Sequence, residues 1–431
     1  MPTVGCAGKY RFIATFSILF FLLTFKLVFA EEGRPAENLP RLIDTAISVN
    51  PELKASDARW QIFRNRIAQV SSFEDPMLML KIQNGVFADP FNFRKDPMTQ
   101  KVIGISQQIP FWGKRALKGE MATKEAESYK WQVEERKLEL KKAVAEIYYQ
   151  IYYIDKSREI VDRNINILDE FITLANTKYS VGKGTQQDIF RAQVERSKML
   201  DIQITLEQQR KSLQAGMNAL LYRQADTPVG RIPEVEIEPL FLTSEQLRNN
   251  AYENRPLLKA YQARIDKGKA GLKLAAKEFY PDVNAVFEYM QRDRFEGSSG
   301  DDLYTVGFAI NLPVQRERRH AAVAESGSEI RMATEELNSL KNSINGGVAD
   351  LQAQLDRRQK LVDLYKTGLI PQAQESLKSA TIGYRVNKVD FLTLLDNRVT
   401  LYNYEREYYA SITNYQVKKA QLEALTGKEL K

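Results

Sequence analysis

The sequence predicts a mainly α-helical chain that also carries two pairs of β-strands. It is built as two copies of one plan, in the order helix, strand, strand, long helix, turn, helix. Three observations predict this. Short motifs recur at an offset of 205 residues. A heptad seam is sustained far beyond the length of an ordinary globular helix. Apolar residues alternate with small or polar ones over three short segments, and a fourth (VIGISQQIP) matches one of them in the repeat.

Residues 1–30 read as an export signal. Lys9 and Arg11 make a basic start, 12–25 (FIATFSILFFLLTF) is an apolar core too short to span a bilayer, and Val28 and Ala30 precede a cut after about Ala30. Lys26 interrupts the apolar run, which argues against an uncleaved anchor. Cys6 lies upstream of that run, so no lipid anchor is expected, and the mature chain has neither cysteine nor disulfide framework. Loss of Lys9, Arg11 and Lys26 lowers the formal charge from +7 to +4. The remaining basic residues are interleaved with acids, as in KLELKK (137–142), which marks solvated helix faces rather than a nucleic-acid surface. Past residue 30 there is no run of eighteen apolar residues, so no transmembrane helix is expected.

The repeat divides the rest. NPELKA (50–55) matches RPLLKA (255–260), YSVGKGTQQDIFRAQVE (179–195) matches YRVNKVDFLTLLDNRVT from 384, and MNALLY (217–222) matches LEALTG (422–427). Gly104 and Pro110 match Gly307 and Pro313 at an offset of 203, a two-residue loop difference. The expected units are 31–224 and 245–431, joined by a Pro-rich polar linker at 225–244.

From Leu140 to Tyr179, steps of four and three place Leu, Val, Ile, Ala and Tyr on one line, broken only by Arg158. With no proline in 111–180, this helix would run roughly 100 Å. The second half repeats the line from Ile344 to Tyr384, broken at Arg358, and Pro371 should kink it. Partner helices follow at about 186–222 and 391–425. Each is too short to pair along the full length. The helices expected before the strands, about 51–73 and 256–278, would supply the rest by stacking end to end on them.

In the strands, Leu78, Leu80 and Ile82 alternate with Met79, Lys81 and Gln83; Val283, Ala285, Phe287 and Tyr289 with Asn284, Val286, Glu288 and Met290; and Tyr304, Val306, Phe308, Ile310 and Leu312 with Leu303, Thr305, Gly307, Ala309 and Asn311. This pattern fits a membrane barrel and equally a half-buried sheet in a soluble protein. The loops 87–101 and 292–302 are polar and turn-rich, as an exposed end would be.

Two such repeats, with ISQQIPFWGKR (105–115) at a strand-to-helix corner and YSVGKGTQQDIFRAQVE at a helix turn, resemble the outer membrane efflux protein family, the TolC-like channels. QQIPFWGKR is most similar to the branch serving heavy-metal resistance-nodulation-division (RND) pumps. The resemblance implies a homotrimer in which each chain gives four strands to one twelve-stranded transmembrane barrel, with a periplasmic helical coiled-coil tunnel below it. It implies a passive export duct in the outer membrane of a Gram-negative bacterium, in contact with outer-membrane lipid. A periplasmic adaptor and an inner-membrane transporter of RND type would be its partners. A soluble periplasmic coiled-coil adaptor or scaffold is the competing reading; it shares the signal and the heptads but has no need of two duplicated strand pairs.

By the same resemblance the two matching stretches are the tunnel's periplasmic tips. Gly182 and Gly184 suit a sharp helix reversal through a left-handed backbone, and Asn387 is the next best tolerated residue there. Tyr179 and Tyr384 would plug the seams. Gly182, Lys183, Gly184, Thr185, Asn387, Lys388, Val389 and Asp390 are the expected adaptor contacts, against the plainer reading of solvated turns. Asp188 and Asp396 fall where the family places acidic rings that favour cations near the closed end. Asp188, in the first turn, could equally be an ordinary helix-start acid, whereas Asp396 lies deeper in its helix, which favours the gate reading. Thr393 stands where many relatives carry a further aspartate.

No catalytic set is present, so no enzyme and no cofactor are expected. GKGT (182–185) lacks the spacing of a phosphate loop. His320, the single histidine, has no cysteine partner for a zinc site. Met77 and Met79 share one strand face; thioethers can hold Cu(I), but packing is the simpler account. Trp112 fits an aromatic at a membrane interface or a packing residue at the corner.

Overall fold

A computed structural model describes residues 37–295, 297 and 299–430. The expected export signal and Cys6 lie outside these residues. The first half runs α1 (Leu39–Val49), α2 (Pro51–Ser71), β1 (Met77–Gln83), β2 (Gln100–Ile109), α3 (Lys114–Ser180) and α4 (Gln186–Leu220). The second half runs α5 (Ser244–Asn254), α6 (Pro256–Lys277), β3 (Val283–Arg292), β4 (Leu303–Ile310), α7 (Arg316–Leu364), a π-helical turn (Tyr365–Leu369), α8 (Ile370–Arg385) and α9 (Phe391–Thr426). The short helices α1 and α5 were not expected. Each buries only a narrow stripe, Leu42 and Ala46 in one, Leu247 and Ala251 in the other.

The 67 residues of α3 span about 100 Å. Its buried stripe departs from the expected one. It passes through Ser157, fully buried, rather than Arg158, and ends on Lys178 rather than Tyr179, which is 49% exposed. The step from Ile154 to Ser157 places a small hydroxyl where a guanidinium would not fit, and the stripe then returns to the expected Val161, Ile165, Leu168 and Ala175. In the second half Val362, Ala373, Ala380 and Tyr384 are buried at the expected spacing. Pro371 acts as anticipated, but its effect is spread over the preceding turn. Residues Tyr365–Leu369 form a π-turn closed by the Ile370 N–H on the Tyr365 carbonyl five residues back. The wider turn accommodates a proline that lacks a donor and crowds the turn before it.

The end-to-end joints are present in both halves. Asn50 caps α2, accepting from the Glu52 and Leu53 N–H groups, while its Nδ2 donates 3.1 Å to the Leu220 carbonyl at the end of α4. At the matching joint Gly427, with φ of +70°, lies so close to Asn254 and Arg255 that a Cβ would stand 2.9–3.0 Å from their backbone. The two composite columns flank α3 and α7. Residues 222–243 carry no helix or strand and strap this level of the bundle. Val229 and Ile232 are buried, the Tyr152 hydroxyl donates 2.7 Å to Glu234 Oε1, and Tyr415 and Gln416 donate to the Glu238 and Glu236 carbonyls.

The four strands form one antiparallel sheet in the order β1-β2-β3-β4, so the two halves meet at the β2–β3 pair. The corner motif is explained where the sheet joins the helices. Gly113 turns the chain at φ of +85°, and Phe111 stacks on Tyr280 at 4.5 Å. Lys114 is 2% exposed. Its ammonium lies 2.9 Å from Asp282 Oδ1, 3.0 Å from the Tyr280 carbonyl and 3.5 Å from Glu278 Oε2. The Phe111 N–H donates 2.7 Å to the same Asp282 oxygen. Trp112 does not pack at the corner; it is 88% exposed, and its carbonyl accepts from Lys277.

Candidate functional site

Register assigns the sheet's two faces. Leu78, Ile105, Phe287 and Val306 lie in one cross-strand row, and Leu80, Ile103, Tyr289 and Tyr304 in another. All eight are exposed. A continuous uncovered apolar face of this kind needs an apolar surrounding, and a lipid-facing band supplies it. On the other face Lys81 reaches Glu288 at 2.9 Å across Gly104, whose missing side chain leaves room for Glu288 and Met79; the second ion pair, Lys101–Asp293, lies at the loop end of the sheet. Met77 and Met79 belong to this polar face, not the apolar one. No described helix is long and apolar enough to cross a membrane.

At the far end of the helices the two tips pack against each other. Phe171 and Ala175 of α3, Ile189 and Ala192 of α4, Ala380 and Tyr384 of α8, and Phe391, Leu394 and Leu395 of α9 make one buried cluster. In the first tip Gly182 adopts φ of +70° with open space around it. Gly184 is not left-handed, contrary to expectation. It is glycine because a Cβ there would stand 3.0 Å from Lys178 Cβ and 3.2 Å from the Tyr179 nitrogen. In the second tip Asn387 takes the left-handed place at φ of +62°. The crowding is exchanged between the repeats. Val389 occupies the place of Gly184, and it faces Gly383, where a Cβ would meet Val389 Cγ2 at 2.6 Å.

The acids fall into different local roles. Thr185 caps α4 in a reciprocal capping box, its Oγ1 accepting from the Asp188 N–H and its own N–H donating to Asp188 Oδ2, both at 3.3 Å. Asp188 therefore does the work of a helix-start acid, and its charge also bears on Tyr384. Burial first, and Asp188 second, push the Tyr384 phenol up to about 12. Asp390 caps α9 by accepting from the Thr393 N–H at 2.7 Å, and these hydrogen bonds hold its carboxyl below the usual range. Thr393 and Asp396 are one turn apart on the exposed face of α9, and the Asp396 carboxylate has no ion pair among the described residues. Lys183 and Lys388 are exposed at the tips.

The sequence reading missed Lys178. It is 8% exposed, and its ammonium donates to the Tyr384 carbonyl and to Asn387 Oδ1 and lies 4.2 Å from the centre of the Tyr384 ring. Its one-position offset from the expected seam hid it. His320 is on the surface beside Phe279, and the described residues contain no cluster of three or more His, Cys, Asp or Glu able to hold a metal ion.

The family model described as outer membrane efflux protein matches residues 42–221 and again 247–428. The chain is similar to the cobalt-zinc-cadmium resistance protein CzcC of Cupriavidus metallidurans, with 21% identity over 387 residues that cover 88% of each chain. Among solved structures it is similar to the outer membrane protein VceC of Vibrio cholerae, with a TM-score of 0.78 at 17% identity over 91% of this chain and 97% of that one. The open-state MtrE outer membrane channel of Neisseria gonorrhoeae gives 0.74 at 17% identity, over 91% and 89%. The soluble adaptor or scaffold reading finds no support in these matches. A family match that covers both halves, an uncovered apolar sheet face and a bundle about 100 Å long agree: the chain belongs to the outer membrane efflux protein family, as an outer-membrane channel with a periplasmic helical tunnel.

Proposed function

We propose that three copies of this chain form a passive export duct, each giving β1–β4 to one twelve-stranded barrel. The outer edges of β1 and β4, which pair with no other strand among the described residues, carry this reading. Four strands are too few to close, and an open edge in lipid leaves backbone groups unsatisfied. Pairing β4 of one copy with β1 of the next removes every edge. The tips carrying Gly182, Lys183, Gly184, Thr185, Asn387, Lys388, Val389 and Asp390 would receive a periplasmic adaptor, fed by an inner-membrane transporter of RND type. Asp396, with Thr393 beside it, would line the narrow end and favour cations, with Asp188 behind it. The likeness to a cobalt-zinc-cadmium resistance protein supports divalent metal ions as cargo. Nothing in the matched family points to catalysis.

Detergent extraction of the outer-membrane fraction tests the assembly: a heat-labile trimer supports it, and a monomer overturns it. In planar bilayers, Asp396→Ala should reduce the preference for cations. Unchanged selectivity removes Asp396 from the constriction.

A further inference from the structure

Lys178 is a buried cation that forms no ion pair among the described residues. Its partners are neutral: the Tyr384 carbonyl, the Asn387 side-chain oxygen and the Tyr384 ring. They all belong to the other tip. Tyr384 sits in the last turn of α8, where unsatisfied carbonyls and the negative end of the helix dipole favour a positive charge. Asn387 is the left-handed residue on which the second reversal depends. One ammonium from α3 thus caps α8 and fixes the turn after it.

The arrangement is not reciprocal. The position matching Lys178 in the second repeat is Gly383, and Val389 fills the space beside it. Each chain therefore has one such fastening, from the first tip to the second. The chain into the second tip also passes the π-turn and Pro371, whereas α3 is continuous. Resting on the duct reading above, we propose that Lys178 is a positioning residue that fixes where the second tip sits against the first. It thereby sets how far the tunnel's periplasmic end stands open. A hydrogen-bonded charge released from a buried site shifts a two-state balance by roughly tenfold or more.

The test is single-channel recording of the purified full-length protein in planar bilayers, with wild type, Lys178→Met, Asn387→Gly and the double variant. Methionine keeps the apolar stem and removes the ammonium; glycine keeps the left-handed turn and removes the acceptor. Lys178→Met is expected to raise open probability roughly tenfold while the trimer's heat resistance stays at the wild-type level. Asn387→Gly should give a smaller rise, and adding it to Lys178→Met should add nothing. Wild-type open probability in Lys178→Met, or fully additive effects, overturns the proposal. If Lys178→Met does not assemble, Asn387→Gly decides: a raised open probability supports the fastening and an unchanged one overturns it. Absence of channels in the wild type overturns the duct reading and the fastening with it, whereas wild-type channels whose open probability Lys178→Met leaves unchanged overturn the fastening alone.

Discussion

Replacing Asp282 by alanine at the corner between sheet and helices gives the most direct test of what holds this fold together. Asp282 Oδ1 serves two donors, the Lys114 ammonium at 2.9 Å and the Phe111 N–H at 2.7 Å. Lys114 is 2% exposed, so Asp282→Ala strands a buried charge with the Tyr280 carbonyl and a longer contact to Glu278. Removing one partner of a buried pair costs about 3–5 kcal/mol. Asp282 keeps some exposure and Glu278 compensates in part, so about 3 kcal/mol is the working figure. For a chain of this length the unfolding entropy is roughly 0.9 kcal/mol/K, which makes the shift about 3 °C per cooperative unit. Thermal scans of the detergent-solubilised protein at one fixed rate, followed by far-ultraviolet circular dichroism, read it. Lys114→Met in the same background removes the stranded charge and retains the packing stem. The double variant should therefore recover a large part of the loss. If Asp282→Ala leaves the transition within about 1 °C of wild type, or if the double variant is worse than the single, the buried pair is not what fixes the corner.

The other predictions concern the sheet, the tip and the strap. Ile105→Lys places a charge in the apolar row with Leu78, Phe287 and Val306. It should cost about 2–4 kcal/mol and lower the yield of assembled protein in the outer membrane, whereas Ser106→Lys on the opposite face should be tolerated. Equal loss from both would refute the assignment of faces. Thr185→Ala removes the α4 cap at a cost of about 1 kcal/mol, so amide exchange at 186–189 should quicken roughly fivefold with the rest of α4 unchanged. Burial alone would raise the Glu234 carboxyl, but hydrogen bonds from Lys156 and Tyr152, with the positive charges of Lys156 and Arg231, hold it below its ordinary value of 4.5. Because the folded value is depressed, its contribution is present above that ordinary value and is lost as pH falls through the folded value. Protection along residues 231–238, taken relative to the intrinsic exchange rate at each pH, should therefore fall on acidification below that ordinary value, and Glu234→Gln should remove that pH dependence.

Much of this architecture was legible because it rests on periodicity. The heptad line named the long helices, the alternation in VNAVFEYM and LYTVGFAI named strands, and Pro at 51 and 256 marked two helix starts. Asn387 was legible in the second tip because few residues accept its backbone. Less legible were effects that depend on where one segment lies against another. Gly184 reads as a flexible turn residue, yet its constraint is the approach of Lys178. Pro371 reads as a kink, but how the strain is absorbed, as a π-turn, depends on the packing of the preceding turn.

The sequence by itself determined the types of the main elements, their duplicated order and the apolar faces of β1, β3 and β4, since these follow from local spacing and backbone preference; the face of β2 came from its register with its neighbours. Tertiary structure decided which residue sits in the seam at 157 and 178, how the halves join through β2 and β3, and that α2 and α6 extend the columns of α4 and α9. It also turned Lys178 from a surface-type residue into a cap on a helix distant in sequence. A periodic pattern fixes a face to within about one residue, and in a helix one residue is 100° of rotation. Only the neighbouring element settles that last step.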